Sequence, residues 1–190
     1  TKSISLMEER GGAQSERLLA ESLLGLMECT PFSRISITEI AGNALLSRLT
    51  FYRHFATKDE LLGAGLTGIC DEYERRLEAS GRLDFDVIAR TFFSFFCARA
   101  DILRLLRRDS LLHLLFDRMN RRLPGLHARL NARDWEKGNE KTVGIALDFS
   151  AGGFANVLDR WLETGGKETS EELASSINVA RRRYFGEGAG

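Results

Sequence analysis

The sequence predicts an all-α protein of about nine helices, and three observations predict it. Apolar residues recur at spacings of three and four along most of the chain. The only two prolines, Pro31 and Pro124, leave long helices unobstructed almost everywhere. No stretch alternates apolar and polar residues as a half-buried strand would, and no internal repeat is visible.

The helices follow in order. Residues 1–13, ending in Gly11-Gly12, show no sustained period and are expected to form a flexible arm. From Ser15, the residues Leu18, Leu19, Ser22, Leu23, Leu26 and Met27 make one stripe. That helix stops at Cys29-Thr30, because Pro31 pushes its predecessor out of the helical region. Ser36 and Glu39 have the spacing of a capping box, with Ile37, Ile40 and Ala41 on the inner face of a second helix. A turn follows near Ala44-Leu45. Ser47 caps a third helix, whose Phe51 and Phe55 share a face. Thr57 and Glu60 open a fourth helix, which Ser80-Gly81 ends near Ala79. Further helices are expected from Asp84 to Ala98, Ile102 to Arg107, and Asp109 or Ser110 to beyond Arg121, where Pro124-Gly125 should kink or break the helix. A long helix from Trp135 to Glu163 and a last one from Ser170 to Phe185 complete the chain. The expected organisation is an arm (1–13), a helix-turn-helix domain (14–62) continuing into the fourth helix (57–79), and a second helical domain (80–190).

Composition narrows the function. The 190 residues allow one to two domains with a sizeable core. A hydrophobic share of 43% is ordinary for a soluble protein, and no apolar run approaches the roughly 20 residues of a membrane span. No signal-peptide pattern opens the sequence. Cys29, Cys70 and Cys97 are odd in number and far apart, which predicts reduced thiols in a cytoplasmic protein. A net charge of zero argues against a protein that coats nucleic acid all over, but not against one with a single basic face. Between Phe32 and Lys58 the cations Arg34, Arg48, Arg53 and Lys58 face one carboxylate, Glu39.

That segment has the order needed to place a helix in the major groove, where base edges display their full donor and acceptor code. Phe51 and Phe55 would pin the third helix to the core. Ser47, Arg48, Leu49, Thr50, Tyr52 and Arg53 are then left outside. Arg48 suits a guanine edge and Leu49 a thymine methyl. Ser36 and Thr38 sit where a helix start approaches phosphate, and Tyr52, His54 and Lys58 would clamp the backbone.

The runs Ile37-Thr38-Glu39-Ile40-Ala41, Ser47-Arg48, Thr50-Phe51-Tyr52-Arg53-His54-Phe55 and Lys58-Asp59-Glu60-Leu61-Leu62 resemble the TetR family of bacterial transcriptional regulators. Arg160-Trp161-Leu162-Glu163-Thr164-Gly165 with Ser170-Glu171-Glu172-Leu173 is similar to that family's dimerisation end. The resemblance implies a homodimeric repressor bound to double-stranded operator DNA. Its contacts would be Thr38, Ser47, Arg48, Thr50, Tyr52, His54 and Lys58. It also implies a small-molecule effector that enters the C-terminal helices, moves the fourth helix and separates two reading heads. Where the family usually carries glycine in the turn, this chain has Leu45, and a leucine's resistance to positive φ predicts a turn built differently. Leu49 likewise stands where a small residue is usual.

The resemblance places a ligand pocket in the second domain. Its candidate lining is Phe92, Phe93, Phe96, Cys97, His113, Phe116, Met119, Trp135 and Phe149, suited to an apolar or aromatic molecule. Gly152 and Gly153 cost roughly 1 kcal/mol each inside a helix, which close approach of a second subunit would explain. With Leu158, Trp161, Leu173 and Ile177 they are the candidate dimer interface. An enzyme is not expected: no metal-spaced histidines and cysteines, no nucleophile motif and no phosphate-cradling loop is present. No cofactor or metal is expected either. The competing reading is a helical interaction adaptor, whose degenerate helix-turn-helix binds a protein partner instead of DNA.

Overall fold

The computed structural model describes residues 2–81, 84–130 and 140–185. Every regular element among them is a helix. The chain divides into two compact units, Thr1–Gly68 and Ile69–Gly190, with the division inside one helix.

The first unit contains α1 (Lys2–Cys29), a 3₁₀ turn (Phe32–Arg34), α2 (Ile37–Asn43), α3 (Arg48–His54) and the first half of α4 (Lys58–Ala79). Residues 2–13, expected as a flexible arm, belong to α1 instead. Gly11 and Gly12 weaken that helix, but they remove no hydrogen-bond donor. Extending an existing helix is far easier than nucleating one. α1 buries Leu19, Leu23 and Met27 and packs on α2 and α3. The polar residue in its stripe, Ser22, is satisfied: its hydroxyl donates to the Ile40 carbonyl (2.7 Å) and accepts from Asn43 Nδ2 (3.1 Å).

The capping box at α2 forms as the spacing predicts, with Glu39 N–H donating to Ser36 Oγ (3.2 Å) and Ser36 N–H to Glu39 Oε2 (2.8 Å). α2 ends in a Schellman motif. Leu45 N–H donates to Gly42 O (3.0 Å) and Leu46 N–H to Ala41 O (2.9 Å). Leu45 therefore sits at φ 56°. The turn expected to be built differently for want of glycine is built as glycine would build it. Leucine accepts about 1–2 kcal/mol of left-handed strain, offset by the two hydrogen bonds and by the burial of Ala44 and Phe51 on either side.

The second unit holds the rest of α4, then α5 (Phe85–Cys97), α6 (Ala100–Arg108), α7 (Leu112–Leu130), α8 (Glu140–Glu163) and α9 (Ser170–Ala180), with a π-helical turn at Arg181–Phe185. Asp84 caps α5 by accepting from Val87 N–H (2.9 Å). Phe92, Phe93, Phe95 and Phe96 are all buried, because α6, α8 and α9 cover α5 from several sides. Pro124 does not break α7, which runs through it to Leu130. The cost is one hydrogen bond, since proline has no N–H for the carbonyl of Asn120. α6 and α8 close in the same motif as α2, with Ser110 (φ 60°) and Gly165 (φ 91°) in the left-handed position. At the second of these closures Gly166 is required for space, since a Cβ there would stand 3.0 Å from the Trp161 ring.

Candidate nucleic-acid interface and helical cavity

In the first unit, α3 is held at both ends. Ser47 Oγ accepts from Thr50 N–H (3.0 Å) and lies 2.9 Å from Thr50 Oγ1, so these two hydroxyls cap the helix. Phe51 is fully buried and Phe55 nearly so, their rings 6.0 Å apart. The opposite face is open. Arg48, Leu49, Tyr52 and Arg53 are exposed, Leu49 at 80%. Tyr52 meets Phe51 edge to face at 5.7 Å, and the Arg48 guanidinium lies 5.9 Å above the Tyr52 ring. This contact, one turn along the helix, reduces the freedom Arg48 must lose on meeting a partner. Ser36 and Thr38 are exposed at the start of α2. The Ser36 hydroxyl is engaged with Glu39, whose carboxyl is held below its usual range by Ser36's hydroxyl and backbone N–H. The segment's one carboxylate is therefore tied down beside its cations.

Two expected phosphate contacts are used inside the protein instead. His54 turns toward α1, its Nδ1 3.1 Å from Glu16 Oε1 and its side chain only 11% exposed. α3 rotates about 100° per residue, which carries position 54 back to the face that Phe51 anchors. Lys58 donates to three carbonyls, those of Phe32 (2.7 Å), Ile35 (2.8 Å) and Ser33 (3.1 Å), with its ammonium 4.8 Å from the Phe32 ring centre. It closes the 3₁₀ turn rather than reaching outward. A lysine at the first position of a helix opposes the helix dipole, and that was the available sequence signal for a structural role.

Residues 21–64 match the family described as bacterial regulatory proteins, tetR family. Over that segment the chain is similar to the TetR family. A curated relative from Haemophilus influenzae (strain ATCC 51907 / DSM 11121 / KW20 / Rd), described as an uncharacterized HTH-type transcriptional regulator, is 34% identical over 86 residues. The match covers 42% of this chain and 42% of that relative. The TetR-family segment includes both short helices, the strained turn and the start of α4.

The second unit encloses a cavity of about 70 Å³ between α4, α5, α7 and α8. Phe92, Phe116 and Met119 line it as expected. Phe93 and Phe96 do not: they are buried in the closed core behind it. Cys97 stays outside the lining, half-buried, and burial pushes its thiol up to about 11. His113 is exposed at the start of α7 in a shallow surface dip. Phe149 is 67% exposed on the outer face of α8. Trp135 lies outside the described residues. Composition alone could not separate these aromatics, because a core and a pocket wall use the same residue types. The cavity also recruits residues that had no signal, among them Tyr73, Phe85, Phe154 and the polar trio Asn120, His127 and Ser150.

The candidate dimer residues divide as well. Leu158, Trp161 and Leu173 are buried within the chain, Trp161 donating from Nε1 to Glu168 O (2.9 Å). They are core, since their helical faces point toward α5 and α6 rather than outward. Gly152 and Ile177 are half-buried and Gly153 is exposed, with open space at both glycines. Exposed apolar side chains stand elsewhere on α8 and α9, at Ile145 and Val179.

Proposed function

We propose that the chain is a TetR-like DNA-binding transcription regulator, working in the cytoplasm as a homodimer. It represses by gripping operator DNA with α3 and is released by a small molecule. One observation carries this reading: a capped helix-turn-helix, matched to a regulator family over residues 21–64, turns Arg48, Leu49, Tyr52 and Arg53 outward. Arg48 would read a base edge. Thr38, Ser47, Thr50 and Tyr52 would position the backbone.

The test is selection of duplex DNA from genomic fragments by the full chain, followed by titration at fixed salt. Arg48→Ala is expected to weaken binding to the selected duplex by about 1–3 kcal/mol and to relax preference at one base step. Equal loss on every sequence would reassign Arg48 to phosphate. Recovery of no duplex would overturn the regulator reading in favour of an adaptor.

The effector would be uncharged. Among the described residues no carboxylate, lysine or arginine lines the cavity, so an ionised guest would lose its water without gaining a counter-charge from them. At about 70 Å³ the cavity is smaller than the roughly 150 Å³ that accepts a benzene-sized guest. An aromatic effector would have to spread the helices. α7 lacks a backbone hydrogen bond at Asn120, a lining residue. It is therefore the helix that yields most easily.

The dimer would form through the outer faces of α8 and α9, around Ile145, the open glycines and Val179. Light scattering at micromolar concentration should give twice the chain mass, and Val179→Arg should give the single mass. A wild-type chain that is monomeric under those conditions would refute the interface.

A further inference from the structure

Leu45 occupies an unusual position. Among the described residues only two that are not glycine adopt positive φ, Leu45 and Ser110. Among the described residues four helices close with a left-handed residue, and the other three use serine or glycine there. Leu45 alone places a large apolar side chain at this point, and that side chain is 93% exposed. The turn's hydrogen bonds hold this strain, but the Leu45 side chain itself packs on little, and strained backbone of this kind clusters at functional positions. Two residues after Ser47, the cap of α3, Leu49 adds a second exposed leucine. Both stand among exposed Arg48 and Arg53, while the nearby carboxylate of Glu39 is held by Ser36. An apolar pair set among cations and hydroxyl donors complements a surface that is anionic at its edges and carries isolated methyl groups on its floor. The major groove of duplex DNA is such a surface, and the thymine C5-methyl is the apolar group that it displays.

We propose that Leu45 and Leu49 together read thymine methyl groups and so set the base preference of this chain's operator. The proposal rests on the regulator reading above and adds a specificity element at the turn, where glycine would offer no side chain. The strained backbone holds the Leu45 side chain out in advance, so little further ordering is needed on binding.

The experiment uses the full chain and a duplex selected by it from a random-sequence library. Each thymine is replaced in turn by deoxyuridine, which removes only the C5-methyl. At fixed salt, at least one replacement is expected to weaken wild-type binding about fourfold, the worth of burying one methyl-sized group. That penalty should disappear in Leu45→Gly or in Leu49→Ala. Leu45→Gly should also unfold at a midpoint no lower than the wild type, because it relieves the left-handed strain without emptying any core. Uniform tolerance of deoxyuridine overturns the proposal and leaves the regulator reading intact, as does a penalty that persists in both variants. A lower unfolding midpoint for Leu45→Gly overturns it too, by making the side chain structural. Failure to select any duplex overturns both readings together.

Discussion

Phe51→Ala is expected to lower the stability of the first unit by about 3–5 kcal/mol, since it truncates a large side chain that is wholly buried. A unit spanning Thr1–Gly68 has on the order of 3–10 kcal/mol in total. The substitution therefore removes much of its margin. The rings of Tyr52 and Phe55 lose their neighbour at 5.7 Å and 6.0 Å, and α3 loses its central anchor. Chemical denaturation followed by circular dichroism should show an early transition for this unit, and DNA binding should fall with it. The milder Phe51→Leu should cost less and retain DNA binding. An unchanged denaturation midpoint in Phe51→Ala would show that α3 is held by something other than this ring.

Lys58→Met should destabilise the same unit by about 2 kcal/mol. The alkyl stem over Phe32 survives in methionine, but the carbonyls of Phe32, Ser33 and Ile35 lose their charged donor. A hydrogen bond to a charged group contributes roughly 1.5–3 kcal/mol, and water can replace part of it at a half-buried site. For a unit of this size the midpoint should fall by roughly 10 °C. The phosphate role expected from the family pattern makes the opposite prediction. There, stability would hold, and the salt dependence of DNA binding would drop by about one counterion. The two measurements together decide which role Lys58 plays.

Much of the fold was legible in the residues because local rules act on short segments. Ser36 with Glu39, and Ser47 before an apolar run, specify helix starts through hydrogen bonds that span three residues. Phe51 and Phe55 specify a buried face through the helical repeat alone. The sequence also located the stretch that the family match later covered, residues 21–64. Where local signals were weak they misled. Two glycines in succession suggested an arm, although α1 passes through them, and Pro124 suggested a kink or a break, of which the break does not occur, since the helix continues to Leu130. In both places the cost of the unfavourable residue is a few kcal/mol at most, small enough for a continuing helix to absorb.

The site shows the same division. By itself the sequence determined that this is an all-helical chain with a capped helix-turn-helix near its start, and that Arg48, Leu49 and Tyr52 lie away from the anchoring phenylalanines. Periodicity and caps settle those matters within a few residues. Only the tertiary structure decided which polar groups remain available. His54 faces Glu16, 38 residues earlier, and Lys58 closes a turn more than 20 residues earlier. It likewise separated Phe92, Phe116 and Met119, which line the cavity, from Phe93 and Phe96, which fill the core, and from Phe149, which lies outside. The reason is physical. A side chain's identity and position on its helix fix which face it occupies. What that face meets depends on residues far away in sequence, and no local hydrogen bond or repeat encodes them.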